Sequence, residues 1–107
     1  MQEVWKTVSG FETYAVSTFG NVRNNTSNIV LKPYAHNKGY LMVDFSISGK
    51  VSHRRVHRLV AEAFIPNPEN KPQINHKDFD KTNNRVWNLE WCTDAENKAY
   101  SREHTYS

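Results

Sequence analysis

The sequence carries one cysteine, four glycines and four prolines among 107 residues. A single thiol, Cys92, excludes an internal disulfide and any zinc site built on cysteines, and it fits a reducing, intracellular setting. No apolar run approaches the ~18 residues that a membrane-crossing helix needs. The N-terminus lacks the apolar stretch of a signal peptide, so the expected location is cytoplasmic. Repeats and low-complexity tracts are also absent. Acidic residues are outnumbered, 11 to 14, and the net charge of +3 leans toward a polyanionic partner, although charge alone decides little.

What is present fits one domain. A chain this short buries about two-thirds of its unfolded surface, so its core is modest. Three Trp, five Tyr and five Phe supply bulky anchors within a 37% apolar content.

The patterning predicts strands first. Val4–Val8 reads as a short strand ended by Gly10. Tyr14–Ser17 and Asn21–Arg23 read as two strands joined by a turn at Gly20. The polar stretch 24–28 reads as a loop tip. Leu41, Val43, Phe45 and Ile47 alternate with Met42, Asp44 and Ser46, giving one apolar face. Ser48-Gly49 signals a turn, with Val51–Val56 returning, so residues 39–56 are expected to form an antiparallel hairpin. The period then changes. Leu59, Val60, Ala63 and Phe64 fall at helical spacing from Val56, and Pro66 and Pro68 stop the helix. The remainder reads strand (Ile74–His76), polar loop (77–85), strand (Val86–Cys92) and helix (from Asp94 to about Tyr100). Thr93 is the expected N-cap and Glu96 its capping-box partner. Trp5, Trp87 and Trp91 are expected as core anchors, His57 as a capping or supporting residue, and His36 and His53 as surface residues.

Three polar positions stand out near the C-terminus. His76, Asn88 and Asn97 are separated by twelve and nine residues. Cutting a phosphodiester requires a base for the attacking water, a cation against the phosphate and a rigid frame. Histidine is largely neutral at cellular pH and suits the first role. Amide and carboxylate oxygens suit Mg²⁺, which typically takes one or two protein groups plus water and phosphate. A strand-loop-strand-helix unit is able to gather residues 75, 76 and 97. One difficulty is that Asn75 and His76, as neighbours on a strand, point to opposite faces unless the strand ends there.

These residues carry a resemblance. Ile74-Asn75-His76-Lys77-Asp78, Asn83-Asn84-Arg85-Val86, Asn88-Leu89-Glu90-Trp91 and Asn97 resemble the motif of the HNH homing endonucleases of phages and their introns. Val56–Pro66 is similar to the segment that precedes that motif. The run from Glu3 to Arg23 resembles the small module often fused to such nucleases.

The resemblance implies an α+β chain: a β-rich N-terminal module (1–55) followed by a ββα-metal nuclease unit (56–107). It implies a metal-dependent DNA endonuclease, possessing His76 as general base and Asn88 as a brace that closes the loop and orients His76. Asn75 and Asn97 would bind one divalent ion, Mg²⁺ or Mn²⁺. The first ligand position is often aspartate in that family, and here it is the neutral Asn75, so weak ion binding without DNA is expected. Arg54, Arg55 and Arg58 form a basic cluster at the hairpin's end, and Lys77, Lys81 and Arg85 lie in the polar loop. Both groups are candidates for phosphate contact on double-stranded DNA, and their alternative role is solvated surface charge. A monomer or homodimer with no membrane association is expected. The competing reading is a non-catalytic DNA-binding module.

Overall fold

The computed structural model describes residues 2–96. Strands β1 (Trp5–Val8), β2 (Phe11–Ser17) and β3 (Val22–Asn24) form one antiparallel meander. β4 (Tyr34–Ala35), β5 (Leu41–Ile47) and β6 (Lys50–Arg55) form a second. β6 runs directly into helix α1 (Val56–Phe64), and β7 (Gln73–His76) pairs antiparallel with β8 (Leu89–Cys92). None of the described helices is long and apolar enough to cross a membrane.

The hairpin register places Met42 opposite Arg55 and Ile47 opposite Lys50. The two-residue connection needs positive φ at both positions, and Ser48 and Gly49 supply 51° and 78°. Val43 and Phe45 are buried while Asp44 and Ser46 are exposed, as alternation requires. The apolar face is shorter than its sequence pattern: Ile47 sits at the hairpin tip and is exposed.

α1 is the hub. Its apolar stripe, Val56, Leu59 and Val60, is buried, and the helix packs on strands of all three sheets. Its last backbone bond runs from Ile65 N to Ala61 O, one residue before Pro66 removes the next donor. Val16 and Val22 close the core from one side, Val43 and Phe45 from another, and Ile74 and Leu89 from the third. Tyr14 and Phe45 stack at 4.1 Å between ring centroids. Trp91 Nε1 donates to Ile65 O at 2.9 Å, tying β8 to the end of α1.

Four features differ from expectation. β4 has only two residues and carried no pattern. Val86–Asn88 is a 3₁₀ turn rather than strand, because β7 ends at His76 opposite Leu89 and leaves those residues without a pairing partner. His57 lies inside α1 and is buried, so it caps nothing. Two of the three tryptophans are peripheral: Trp5 lies under the Arg23 guanidinium and Trp87 is 43% exposed, whereas Trp91 packs against the core as expected. The capping box at Thr93 is formed: Glu96 N donates to Thr93 Oγ1 at 3.1 Å, and Thr93 N to Glu96 Oε1 at 2.8 Å. The expected helix beyond Glu96, with Asn97, lies outside the described residues.

Candidate active site

The loop between β7 and β8 is closed by its own amides. Asn88 Oδ1 accepts from Asp78 N at 3.1 Å, and Asn88 Nδ2 donates to Asp78 Oδ1 at 2.8 Å and to Asn83 O at 2.9 Å. Lys77 N donates to Asn88 O at 2.8 Å. Asn83 Nδ2 also donates to Asp78 Oδ2 at 2.8 Å. This donation, then the backbone N–H of Asp80 and the Asn88 amide, holds the Asp78 carboxyl below the usual carboxylate range. Asp80 is lowered likewise by the hydroxyl and N–H of Thr82. Both acids are thus engaged in bracing the loop.

His76 stands where β7 opens into this loop and is buried. Its Nε2 lies 2.8 Å from Asn84 Oδ1. An amide oxygen only accepts, so Nε2 is the donor in this contact, and the neutral tautomer compatible with it has its lone pair on Nδ1. Nδ1 has no hydrogen bond among the described residues. The side chain bonded to His76 is therefore Asn84, while Asn88 braces the loop around it. The pairing of Asn83 and Asn84 in the sequence gave no indication of which would reach the histidine.

A second imidazole backs the first. The His57 ring lies 5.2 Å from that of His76 and stacks at 5.1 Å on Tyr40. Burial, then the charges of His76, Arg55 and Arg58, lowers its pKa to about 3. His57 is neutral at any working pH, and its buried Nδ1 has no hydrogen-bond partner among the described residues.

Asn75 is buried on β7 and faces across the strand pair to Glu90; Asn75 Nδ2 donates to Glu90 Oε1 at 3.1 Å. That bond occupies the amide nitrogen and leaves Oδ1 to accept or ligate. Glu90 was not anticipated; the antiparallel register of β7 and β8 sets it opposite Asn75. No group of three His, Cys, Asp or Glu side chains converges among the described residues. The donors at Asn75 are oxygens, an amide and the neighbouring carboxylate, and such hard donors fit Mg²⁺ or Mn²⁺.

The cations divide into two groups. Arg54, Arg55 and Arg58 line one cleft of about 470 Å³ between β6, α1 and the β1–β2 turn. Each guanidinium rests against an aromatic ring: Arg54 on Phe11 (4.6 Å), Arg55 on Tyr40 (5.5 Å) and Arg58 on Trp91 (5.7 Å). Arg58 additionally donates to Pro72 O. In the loop, Lys77, Lys81 and Arg85 are exposed; Lys81 Nζ donates to Lys38 O and lies 5.0 Å from the Tyr40 ring, and Arg85 donates to Asn83 Oδ1. Away from the site, exposed Asp44 accepts from Tyr34 and pairs with His53 Nδ1 at 2.6 Å.

A two-stranded unit with an amide-sealed loop and a histidine at its mouth, behind a strand-rich N-terminal region, is the HNH nuclease fold. Residues 54–99 match the model of the HNH endonuclease, and residues 3–46 that of the NUMOD4 motif. An uncharacterized HNH endonuclease of Acanthamoeba polyphaga mimivirus is 42% identical over 84 residues, 78% of this chain and 26% of that protein. The DNA endonuclease I-HmuI of Bacillus phage SP01 is 38% identical over 90 residues, 83% of this chain and 52% of that one. The structure solved for DNA binding and cleavage by the HNH homing endonuclease I-HmuI matches with a TM-score of 0.88 at 34% identity, over 95% of this chain and 59% of that chain. The chain belongs to the HNH endonuclease family. It spans about a quarter of the viral relative's length and about half of the phage enzyme's.

Proposed function

We propose that this chain hydrolyses phosphodiester bonds of double-stranded DNA with the help of one divalent ion, and that His76 is the general base. The observation that carries this is the His76 ring itself: Nε2 is engaged by Asn84, and Nδ1 is left as the acceptor at the mouth of a rigid loop. In the proposed step a water oxygen bonds to phosphorus, its proton passes to Nδ1, and the bond from phosphorus to the 3′ oxygen breaks. Asn75 and Asn97 would hold the ion, with the Glu90 carboxylate beside Asn75 adding negative charge. Such an ion would neutralise the phosphate and the departing 3′ oxygen. Its affinity is weak until a DNA phosphate completes the site, because two amides attract Mg²⁺ less than carboxylates do. Asn88 keeps the loop closed beneath the reacting atoms.

The same reading assigns residues 1–55 to the strand-rich module and 56–107 to the nuclease unit. Lys77, Lys81 and Arg85 contact phosphates near the cut, and Arg54, Arg55 and Arg58 contact them further away. One site cuts one strand, so double-strand cleavage requires a dimer or two binding events.

The test is supercoiled plasmid incubated with Mg²⁺ or Mn²⁺, wild type beside His76→Ala. Nicked or linear product from wild type alone, abolished by chelator, is expected. Equal cleavage by His76→Ala removes the assignment of the base. Chelator-insensitive DNA binding with no product from wild type favours a non-catalytic binding module, a reading to which the arginine-lined cleft lends some weight.

A further inference from the structure

We infer that Asn84 is the positioning residue for His76, and that the β2–β3 turn of the N-terminal region holds Asn84 in place. The inference rests on the reading of His76 as the base. Asn84 is buried, with Oδ1 at 2.8 Å from His76 Nε2, while its buried Nδ2 has no partner among the described residues. An unsatisfied buried donor destabilises, so the amide's contribution lies in its oxygen. That oxygen selects one imidazole tautomer, the one whose Nδ1 is free to take a proton.

The backbone of Asn84 is set from outside the nuclease loop. A Cβ added at Gly20 would lie 2.9 Å from Asn84 O and 3.0 Å from Asn84 Cβ, so only glycine permits this approach, and Gly20 has φ +85°. Two residues on, Val86 N donates to Thr18 O at 2.8 Å, and Trp87 meets Phe19 edge-on at 5.7 Å. The turn itself is rigid. Fully buried Ser17 accepts at Oγ from Phe19 N and Asn21 N, each at 3.1 Å, and donates from Oγ to Glu3 Oε2 at 2.6 Å. Asn21 Nδ2 donates to the same Glu3 oxygen at 2.7 Å. A chain of direct contacts thus runs from Glu3 and Ser17 through Gly20 and Asn84 to His76. The N-terminal region is therefore a structural part of the proposed catalytic centre.

The test is the tautomer of His76 by ¹⁵N NMR on the full chain, without DNA or ion, together with kcat and KM for plasmid nicking. Wild type is expected to show the Nε2–H form. Asn84→Leu is expected to mix the tautomers and to lower kcat about 10²-fold with KM nearly unchanged, the scale set by misplacing a catalytic group. Asn84→Asp, which keeps an acceptor oxygen, retains the Nε2–H form, and Gly20→Ala reproduces the mixing with every residue of the nuclease loop unchanged. An Nδ1–H form in wild type overturns the inference outright, as does an unchanged tautomer in Asn84→Leu. Because the tautomer is read without turnover, a wild type that holds the Nε2–H form and cuts nothing sinks the nuclease reading and leaves the positioning contact standing.

Discussion

Asn88 and Asp78 exchange two hydrogen bonds across the mouth of the β7–β8 loop, Asp78 N to Asn88 Oδ1 and Asn88 Nδ2 to Asp78 Oδ1. With the third bond, to Asn83 O, one buried side chain holds both ends of a loop that has no sheet pairing of its own. At about 1 kcal/mol net for each bond, and more for donors left buried, Asn88→Ala is expected to destabilise the chain by roughly 2–4 kcal/mol in urea unfolding. Asn88→Asp is the sharper variant. It keeps an acceptor for Asp78 N but sets a carboxylate against Asp78 Oδ1. It should therefore unfold at lower urea than Asn88→Ala at neutral pH and recover as the solution is acidified. A variant within ~0.5 kcal/mol of wild type would mean that the loop is held by something else.

His57 predicts how stability depends on pH. Its folded pKa is lowered to about 3, and its ordinary value is 6.5. The unfolded chain therefore binds a proton that the folded chain refuses throughout that window. Stability from this group is complete above pH 6.5 and is lost as pH falls toward 3. The total is on the order of 5 kcal/mol, at about 1.4 kcal/mol per unit. His57→Phe keeps a ring against Tyr40 and removes the proton. The difference in unfolding free energy between wild type and this variant should be flat above pH 7 and should slope between pH 6 and 4. Parallel curves over that range would show that the imidazole is solvated in solution.

Much of this architecture was legible because the patterns are local. The β5–β6 hairpin is written in the alternation of Val43 and Phe45 and in Ser48-Gly49, whose positive φ values fit its turn. Helix α1 is written in the spacing of Val56, Leu59 and Val60 and in the proline that follows. What was not legible depends on contacts between distant segments. The two residues of β4 take their strand character from pairing with Leu41 and Met42. The helical spacing around His57 gave its neighbours, but that its ring would lie between Tyr40 and His76 depends on how the β4–β5 turn crosses α1. Asn84 reads as one amide in a polar loop until Gly20, sixty-four positions earlier, is seen against its backbone.

Glu90 and Asn75 bear on the ion. The bond from Asn75 Nδ2 to Glu90 Oε1 leaves the amide oxygen of Asn75 for another partner and sets a carboxylate beside the proposed neutral ligand. Removing such a supporting carboxylate typically weakens metal affinity by about 10–100-fold. Glu90→Gln, which keeps the acceptor but not the charge, should raise the Mg²⁺ concentration for half-maximal plasmid nicking toward the lower end of that range. Saturating Mg²⁺ should restore its rate. Asn75→Asp should move the requirement the other way. An unchanged Mg²⁺ requirement in Glu90→Gln would mean that the carboxylate contributes nothing to ion binding.

The arginine cleft makes a separate prediction, read in salt rather than in rate. Arg54 and Arg55 are exposed, and each rests on an aromatic face that limits where its guanidinium can go. A preset cation loses less freedom when it meets a phosphate, and each phosphate neutralised adds about 0.9 to the slope of log affinity against log salt. Arg54→Ala and Arg55→Ala should each lower that slope by about 1 and weaken binding alike on unrelated duplexes, as expected for a contact to the backbone rather than to bases. His76→Ala should leave the slope untouched, since the role proposed for the imidazole is on water and not on DNA charge. Filter binding of one duplex with chelator present, repeated from about 50 to 200 mM salt, separates the cases. If the arginine variants keep the wild-type slope, the cleft lies off the DNA path and the loop cations carry the phosphate contacts.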